Sequence, residues 1–112
     1  NNLGEIYRQQ NNLDEALKYY NQALEINIKI NDERQIATNL NNIGIIHFRK
    51  EEYPKALQVI DKSEALSEKT NNKRLLQLNY INKGNIYFNT KKIDLAKTYF
   101  EKALVLIKEA KD

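Results

Sequence analysis

The chain has 112 residues, 29% of them charged and 41% hydrophobic, with one proline, three glycines and no cysteine. That composition fits one foldable domain or a short array; it excludes disulfides and thiolate chemistry and disfavours a turn-rich β fold. The net charge of +3 is spread over interleaved lysines and acids, which argues against nucleic acid as a partner, and no apolar run approaches the ~20 residues of a membrane-spanning helix.

In chain order, the sequence opens on Asn1-Asn2-Leu3-Gly4, without a starting methionine or a leader, and reads as a piece of something longer. A first unit, about 1–31, begins partway into a helix and continues into a second one. Asn31-Asp32 marks a turn. The spacing of Ile36, Leu40, Ile43 and His47 then predicts a helix from about Asp32 to Lys50. Lys50-Glu51-Glu52 is a polar turn. Tyr53 to Lys69 reads as the next helix, with Ala56, Leu57, Ile60, Ser63 and either Leu66 or Ser67 inward. Pro54 suits its first turn, where the missing N–H costs nothing. Asp14 and Asp94 hold the matching places and are expected to cap. Asn71-Asn72 starts a third unit, about 72–112, whose second helix ends near Lys111. The fold expected is all-α.

The units repeat every forty residues. Gly4, Gly44 and Gly84 align, as do Ile6, Ile46 and Ile86, and Asn2, Asn42 and Asn82. So do Tyr7, His47 and Tyr87; Ala16, Ala56 and Ala96; Tyr20, Ile60 and Phe100; and Ala23, Ser63 and Ala103. Glycine inside a helix costs roughly 1 kcal/mol against alanine, so its recurrence implies a packing reason. The expectation is that each glycine lets paired helices approach, faced by the small Ala16, Ala56 and Ala96. The aromatics would fill the gaps alongside, with His47 as a packing residue in a tyrosine's place.

Leu3-Gly4-x-x-Tyr7 followed by Ala16-x-x-x-Tyr20-x-x-Ala23 resembles the tetratricopeptide repeat. Ile43-Gly44-x-x-His47 with Ala56-x-x-x-Ile60, and Gly84-x-x-Tyr87 with Ala96-x-x-x-Phe100-x-x-Ala103, resemble it equally. The resemblance covers essentially the whole chain and implies a right-handed superhelix of stacked antiparallel helix pairs, first helices lining the concave side. The unit is 40 residues long against the family's 34. The proline at the end of the family's second helix is replaced by Ile28, Glu68 and Lys108, so those helices can run on. Lys83 stands where Leu3 and Ile43 are apolar, which should weaken one contact. The long form, and the phrase Leu40-Asn41-Asn42-Ile43-Gly44-Ile45-Ile46 above all, is similar to repeat arrays of bacterial sensor histidine kinases and peptide-binding regulators.

Catalysis finds little to work with. There is no cysteine nucleophile, no HExxH, GxSxG or glycine-rich phosphate loop, and no cluster of metal-ligating types, so no cofactor is expected. A binding surface can be placed. The helix face opposite the second unit's core carries Thr38, Asn42, Ile45 and Arg49, flanked by Asn41 and Phe48. Its third-unit counterpart carries Leu78, Asn82, Asn85 and Asn89, flanked by Ile81 and Phe88. Asn2, Glu5, Arg8 and Gln9 are the first-unit contribution. Asn2, Asn42 and Asn82 would form a ladder of carboxamides, each a donor and an acceptor, matching an extended peptide backbone. Ile45, Phe48, Ile81 and Phe88 would take its side chains, and Arg8 and Arg49 a carboxylate. Abundant asparagine throughout the chain leaves a merely solvated face as the alternative, and Phe48 and Phe88 could equally be core.

The expected partner is therefore a protein or extended peptide segment, with no nucleic acid and no membrane contact, as the sensory or regulatory part of a bacterial signalling protein. The alternative is a self-associating or spacer scaffold. Ala103, Leu106, Ile107 and Ala110 are expected to leave an apolar end uncovered and to favour end-to-end homo-association. The compartment is open: cytoplasmic by default, periplasmic if the segment belongs to a sensor kinase.

Overall fold

The structure, a computed structural model, describes residues 12–111. They form five helices: α1 Leu13–Lys29, α2 Glu33–Arg49, α3 Tyr53–Lys69, α4 Lys73–Asn89 and α5 Ile93–Lys111. Strands are absent among the described residues. α1 to α4 are 17 residues each. Helix plus turn makes a step of twenty, so a pair makes the period of forty. α2 pairs with α3 and α4 with α5, while α2 also packs on α1 and α4 on α3. The sequence expectations for Asn2, Leu3, Gly4, Glu5, Ile6, Tyr7, Arg8 and Gln9 lie outside the described residues.

All four connections are built alike. Asn31, Glu51, Asn71 and Lys91 have φ of 58°, 61°, 54° and 63°. At the second turn the Glu51 N–H donates to the Phe48 carbonyl at 2.9 Å and the Glu52 N–H to the His47 carbonyl at 2.8 Å. This left-handed stop satisfies the last carbonyls of the helix. The next residue then opens the following helix: Asp32 and Asn72 accept from the backbone N–H of Gln35 and Leu75 at 3.3 and 3.2 Å. Asp14 and Asp94 are not caps. They sit inside the first turn, where their charge suits the helix dipole. The Asp14 carboxylate accepts instead from Lys50 Nζ at 2.7 Å. His47, half-buried at its packing place, also bonds Glu52 at 2.8 Å across the turn, which holds the Glu52 carboxyl below its ordinary range.

Two apolar clusters run along the stack. Ala16 and Tyr20 of α1 meet Ile43 and Ile46 of α2, with Leu13, Leu17, Leu24 and Val59 against them. Ala56 and Ile60 of α3 meet Ile86 of α4, with Phe48, Tyr53 and Leu57 alongside. The second helix of the middle pair buries Ala56, Ile60, Ser63 and Ser67, as its spacing predicts.

The side chains nearest a Cβ on the repeated glycine are not those of the repeated alanine. A Cβ on Gly44 would lie 2.3 Å from Ile60 Cγ1, and one on Gly84 would lie 2.6 Å from the Phe100 ring. The space belongs to the large residue four positions after the alanine. Ile60 is fully buried and cannot yield, whereas Phe100 is partly exposed and can swing outward. Gly44→Ala is therefore expected to destabilise by about 1–3 kcal/mol after the helix-propensity gain, and Gly84→Ala by less than about 1 kcal/mol. Urea unfolding checks both, and the cost of Gly44→Ala should be smaller when measured in an Ile60→Ala background, where the clash is gone.

Lys83 is not a weakened contact. It is 5% exposed and holds Asp61 at 2.7 Å and Glu64 at 2.9 Å, with Tyr99 beneath its Nζ at 4.5 Å from the ring centre. Desolvation alone would lower its pKa, but hydrogen bonds to Asp61, Glu64 and Tyr99 outweigh burial and hold it above the ordinary lysine value.

A polar seam runs beside the apolar one. Asn79 is fully buried; its Nδ2 donates to Asn41 Oδ1 at 3.0 Å and to Ser63 Oγ at 2.9 Å. Ser63 Oγ passes its own proton to the Ala37 carbonyl at 2.7 Å. Ser67 Oγ lies 2.9 Å from Asn79 Oδ1 and 2.7 Å from the Ser63 carbonyl, and donates to one at a time. Forty residues earlier, Asn39 Nδ2 donates to Asn27 Oδ1 at 2.6 Å.

The uncovered apolar end differs from expectation. Ala103 is buried and Leu106 and Ile107 are half-buried, leaving only Ala110 of that set exposed. The open residues are Ile93, Leu95, Phe100, Leu104 and Val105, with Phe88 of α4. Of these, Phe88, Ile93, Phe100 and Leu104 line one apolar cleft.

Candidate functional site

α2 and α4, the first helices of successive pairs, touch along one side of the stack. Ile45, Phe48 and Arg49 of α2 and Asn82 and Asn85 of α4 line a cleft of about 240 Å³ between them, with Ile60 of α3 also contributing. Spacings of three and four put these residues on one helix side. Ile45, Phe48 and Ile60 make the apolar walls. Arg49, Asn82 and Asn85 supply N–H donors, and among the described residues no carboxylate lines the cleft. The Phe48 ring is held by Tyr53, 5.7 Å away and tilted by 60°.

The polar seam braces this cleft. Asn82 Nδ2 gives one N–H to Asn41 Oδ1 at 3.0 Å, the oxygen that also receives Asn79. Asn82 keeps its second N–H and its Oδ1. Asn42 and Asn85 are half-buried, and their carboxamides make no hydrogen bond among the described residues. A second cleft, about 180 Å³, lies further along between the same helices and is lined by Thr38 and Leu78 with Asn72, Arg74 and Leu75. The Thr38 hydroxyl is already donated to the Arg34 carbonyl at 3.0 Å.

The fourteen sequence-assigned residues thus divide. Ile45, Phe48, Arg49, Asn82 and Asn85 come together; Thr38 and Leu78 share the smaller cleft. Ile81 and Asn42 are half-buried and line neither. Asn41 is corrected: at 3% exposure it belongs to the core and positions Asn82. Phe88 is corrected as well, because it lines a separate apolar cleft between α4 and α5. Asn89 turns back to the Asn85 carbonyl at 2.8 Å and faces neither cleft. Asn2 and Arg8 lie outside the described residues. Ile60 was missed as a lining residue, since a core position gives no sign that a cleft reaches it.

Among the described residues no three His, Cys, Asp or Glu side chains gather to hold a metal, and no helix is long and apolar enough to cross a membrane.

Antiparallel helix pairs stacked in register, with first helices side by side along a shared groove, define a helical-repeat superhelix of the protein-interaction class. The chain belongs to the tetratricopeptide repeat family: a tetratricopeptide repeat profile matches residues 1–69, and a second matches residues 79–108. The fold is similar to the TPR domain of Arabidopsis FLU, with a TM-score of 0.89 at 15% identity over 96% of this chain and 91% of that one. It is also similar to the apo form of RapI, with a TM-score of 0.87 at 24% identity over 95% of this chain and 38% of that one. These likenesses carry the right-handed superhelical fold. A search of curated proteins returned no significant match.

Proposed function

We propose that this repeat module binds an extended protein segment along the α2–α4 groove and has no catalytic role of its own. One apolar side chain enters the Ile45–Phe48–Ile60 cleft while the segment's backbone lies against Asn42, Asn82 and Asn85. The observation that carries this reading is the half-buried Asn85 carboxamide, with no hydrogen bond among the described residues, on the lining of a preformed apolar cleft; Asn42, likewise without one there, lies one turn before Ile45 on α2. Such groups fit an incoming backbone, which offers N–H and C=O in turn. Arg49 on the lining suits a ligand carboxylate.

The wider assignment, a sensory or regulatory segment of a bacterial signalling protein built of units 1–31, 32–71 and 72–112, rests on the resemblance of the Leu40–Ile46 phrase. A self-associating role draws on a different observation, the open apolar face of α5.

Peptides selected from a random library on the whole chain test the groove. Ile45→Glu is expected to weaken a selected peptide about tenfold or more, and Asn85→Ala about fivefold, by calorimetric titration. Phe88→Asp, in the other cleft, should leave affinity unchanged. The opposite ranking would remove the groove from the account.

A further inference from the structure

We infer that the segment held between α2 and α4 is an internal acidic one, with a carboxylate side chain at each end of a short apolar stretch; this rests on the groove reading and adds the ligand's chemistry to it. Charge is divided by helix. α1, α3 and α5 carry three acidic residues each, interleaved with lysines. α2 and α4, which line the groove, hold one between them, Glu33, and it is tied to Lys69 of α3 at 2.6 Å. The basic residues differ in kind as well. Among the described residues every arginine, Arg34, Arg49 and Arg74, lies on α2 or α4, and the other three helices use lysine alone. The planar guanidinium grips a carboxylate with two parallel N–H bonds, where lysine is a point charge. Arg34 serves the stack, donating to the Thr70 carbonyl at 3.1 Å. Arg49 and Arg74 are exposed and line the two clefts, one each.

Their placement sets the ligand's dimensions. Thr38 and Leu78 mark the smaller cleft. Ile45 and Asn85 mark the larger one, seven residues further along each helix, or roughly 10 Å. An extended chain covers that distance in about three or four residues. Arg74 lies in the first turn of α4 and Arg49 at the last residue of α2, so they stand at opposite ends of the groove. At the repeat of forty Arg74 aligns with Arg34, which puts the two ends roughly 22 Å apart, about seven residues of extended chain. A chain has a single C-terminal carboxylate and cannot serve both. Asp or Glu side chains outside each of two apolar anchors can.

Fluorescent peptides selected from a random library and titrated onto the whole chain test this. The selected sequences are expected to carry two apolar residues three or four apart, with an acid outside each. Arg49→Gln and Arg74→Gln should each weaken binding about threefold to fivefold in low salt, and less in about 0.5 M salt. Lys62→Gln, the same charge change at an exposed position of α3, should leave affinity unchanged. Replacing the acid at one peptide end by its amide should abolish the effect of one arginine variant and spare the other's, and amidating the peptide C-terminus should change nothing. Selected peptides without acids, arginine variants no weaker than Lys62→Gln, or dependence on the terminal carboxylate would overturn the proposal, while a continuing loss in Ile45→Glu would leave the groove standing. Without that loss both fall together. Anchors seven residues apart would signal a helical ligand, and a single-stranded oligonucleotide bound as tightly would signal a polyanion; either overturns the extended acidic segment.

Discussion

Asn79→Asp should unfold much of the array at neutral pH, at a cost of about 3–5 kcal/mol, although the two side chains have the same shape. Asn79 is wholly buried, and both protons of its Nδ2 are used, on Asn41 Oδ1 and Ser63 Oγ. A carboxylate there places an oxygen against an acceptor in Asn41. Ser63 could turn its proton to meet it, but only by abandoning the Ala37 carbonyl. The carboxylate either faces the Asn41 oxygen or takes the Ser63 proton from the Ala37 carbonyl, and Lys83, one turn on, is already held by Asp61 and Glu64. Asn79→Ala removes the bonds without adding charge and should cost about 2–3 kcal/mol. Asn39→Ala, at the equivalent position with a single bond to the half-buried Asn27, should cost nearer 1 kcal/mol. Urea midpoints at constant slope give all three. The loss would extend to the groove, because Asn79 and Asn82 share the same Asn41 oxygen.

Lys83→Glu is expected to be comparably severe, about 3–5 kcal/mol at pH 7, whereas Lys83→Leu combined with Glu64→Leu should fall within about 1 kcal/mol of wild type. The glutamate would face Asp61 and Glu64 from a nearly closed position. Its pKa would rise, so the variant should regain stability as pH falls and its carboxyl takes up a proton. The two leucines restore the apolar types that Ile43 and Leu24 have in the same columns, Asp61, 59% exposed, goes back to water, and no mostly buried carboxylate at position 64 is left without its cation. In the wild type the folded-state pKa of Lys83 lies above the ordinary lysine value of 10.5. Its stabilisation is therefore complete below about pH 10.5 and fades as pH climbs through the raised value. Thermal melts across pH 5 to 9 should show no slope from this residue.

These two positions mark what could and could not be read from the chain. The glycine, alanine and aromatic columns identify the helix pairs because those residues differ sharply in size and recur at forty. They misassign the glycine's neighbour because a column says which residues recur, not which of them meet across the seam. Asn79 was passed over since asparagine is common throughout and reads as surface. Its alignment with Asn39, and that of Ser67 with Asn27, was the available signal of a buried polar seam. Lys83 looked like a defect in one column. Read across two columns it is an exchange: Leu24 and Ile43 at one interface become Glu64 and Lys83 at the next. α2 and α4 are each buried on several sides, as helices wedged between neighbours must be, so periodicity alone could not separate Asn41 of α2 and Phe88 of α4 from the groove residues. The groove itself, Ile45, Phe48, Arg49, Asn82 and Asn85, was legible because opposite-face spacing on two helices one period apart is simple geometry.

The most direct test of the groove is to map a library-selected peptide onto the chain by amide and carboxamide chemical-shift changes. The account predicts the largest shifts at Ile45, Phe48, Asn82 and Asn85, including the side-chain N–H₂ signals of Asn42 and Asn85, with Asn79 unmoved. Shifts confined to α5, or spread along α3 with those carboxamides silent, would contradict it.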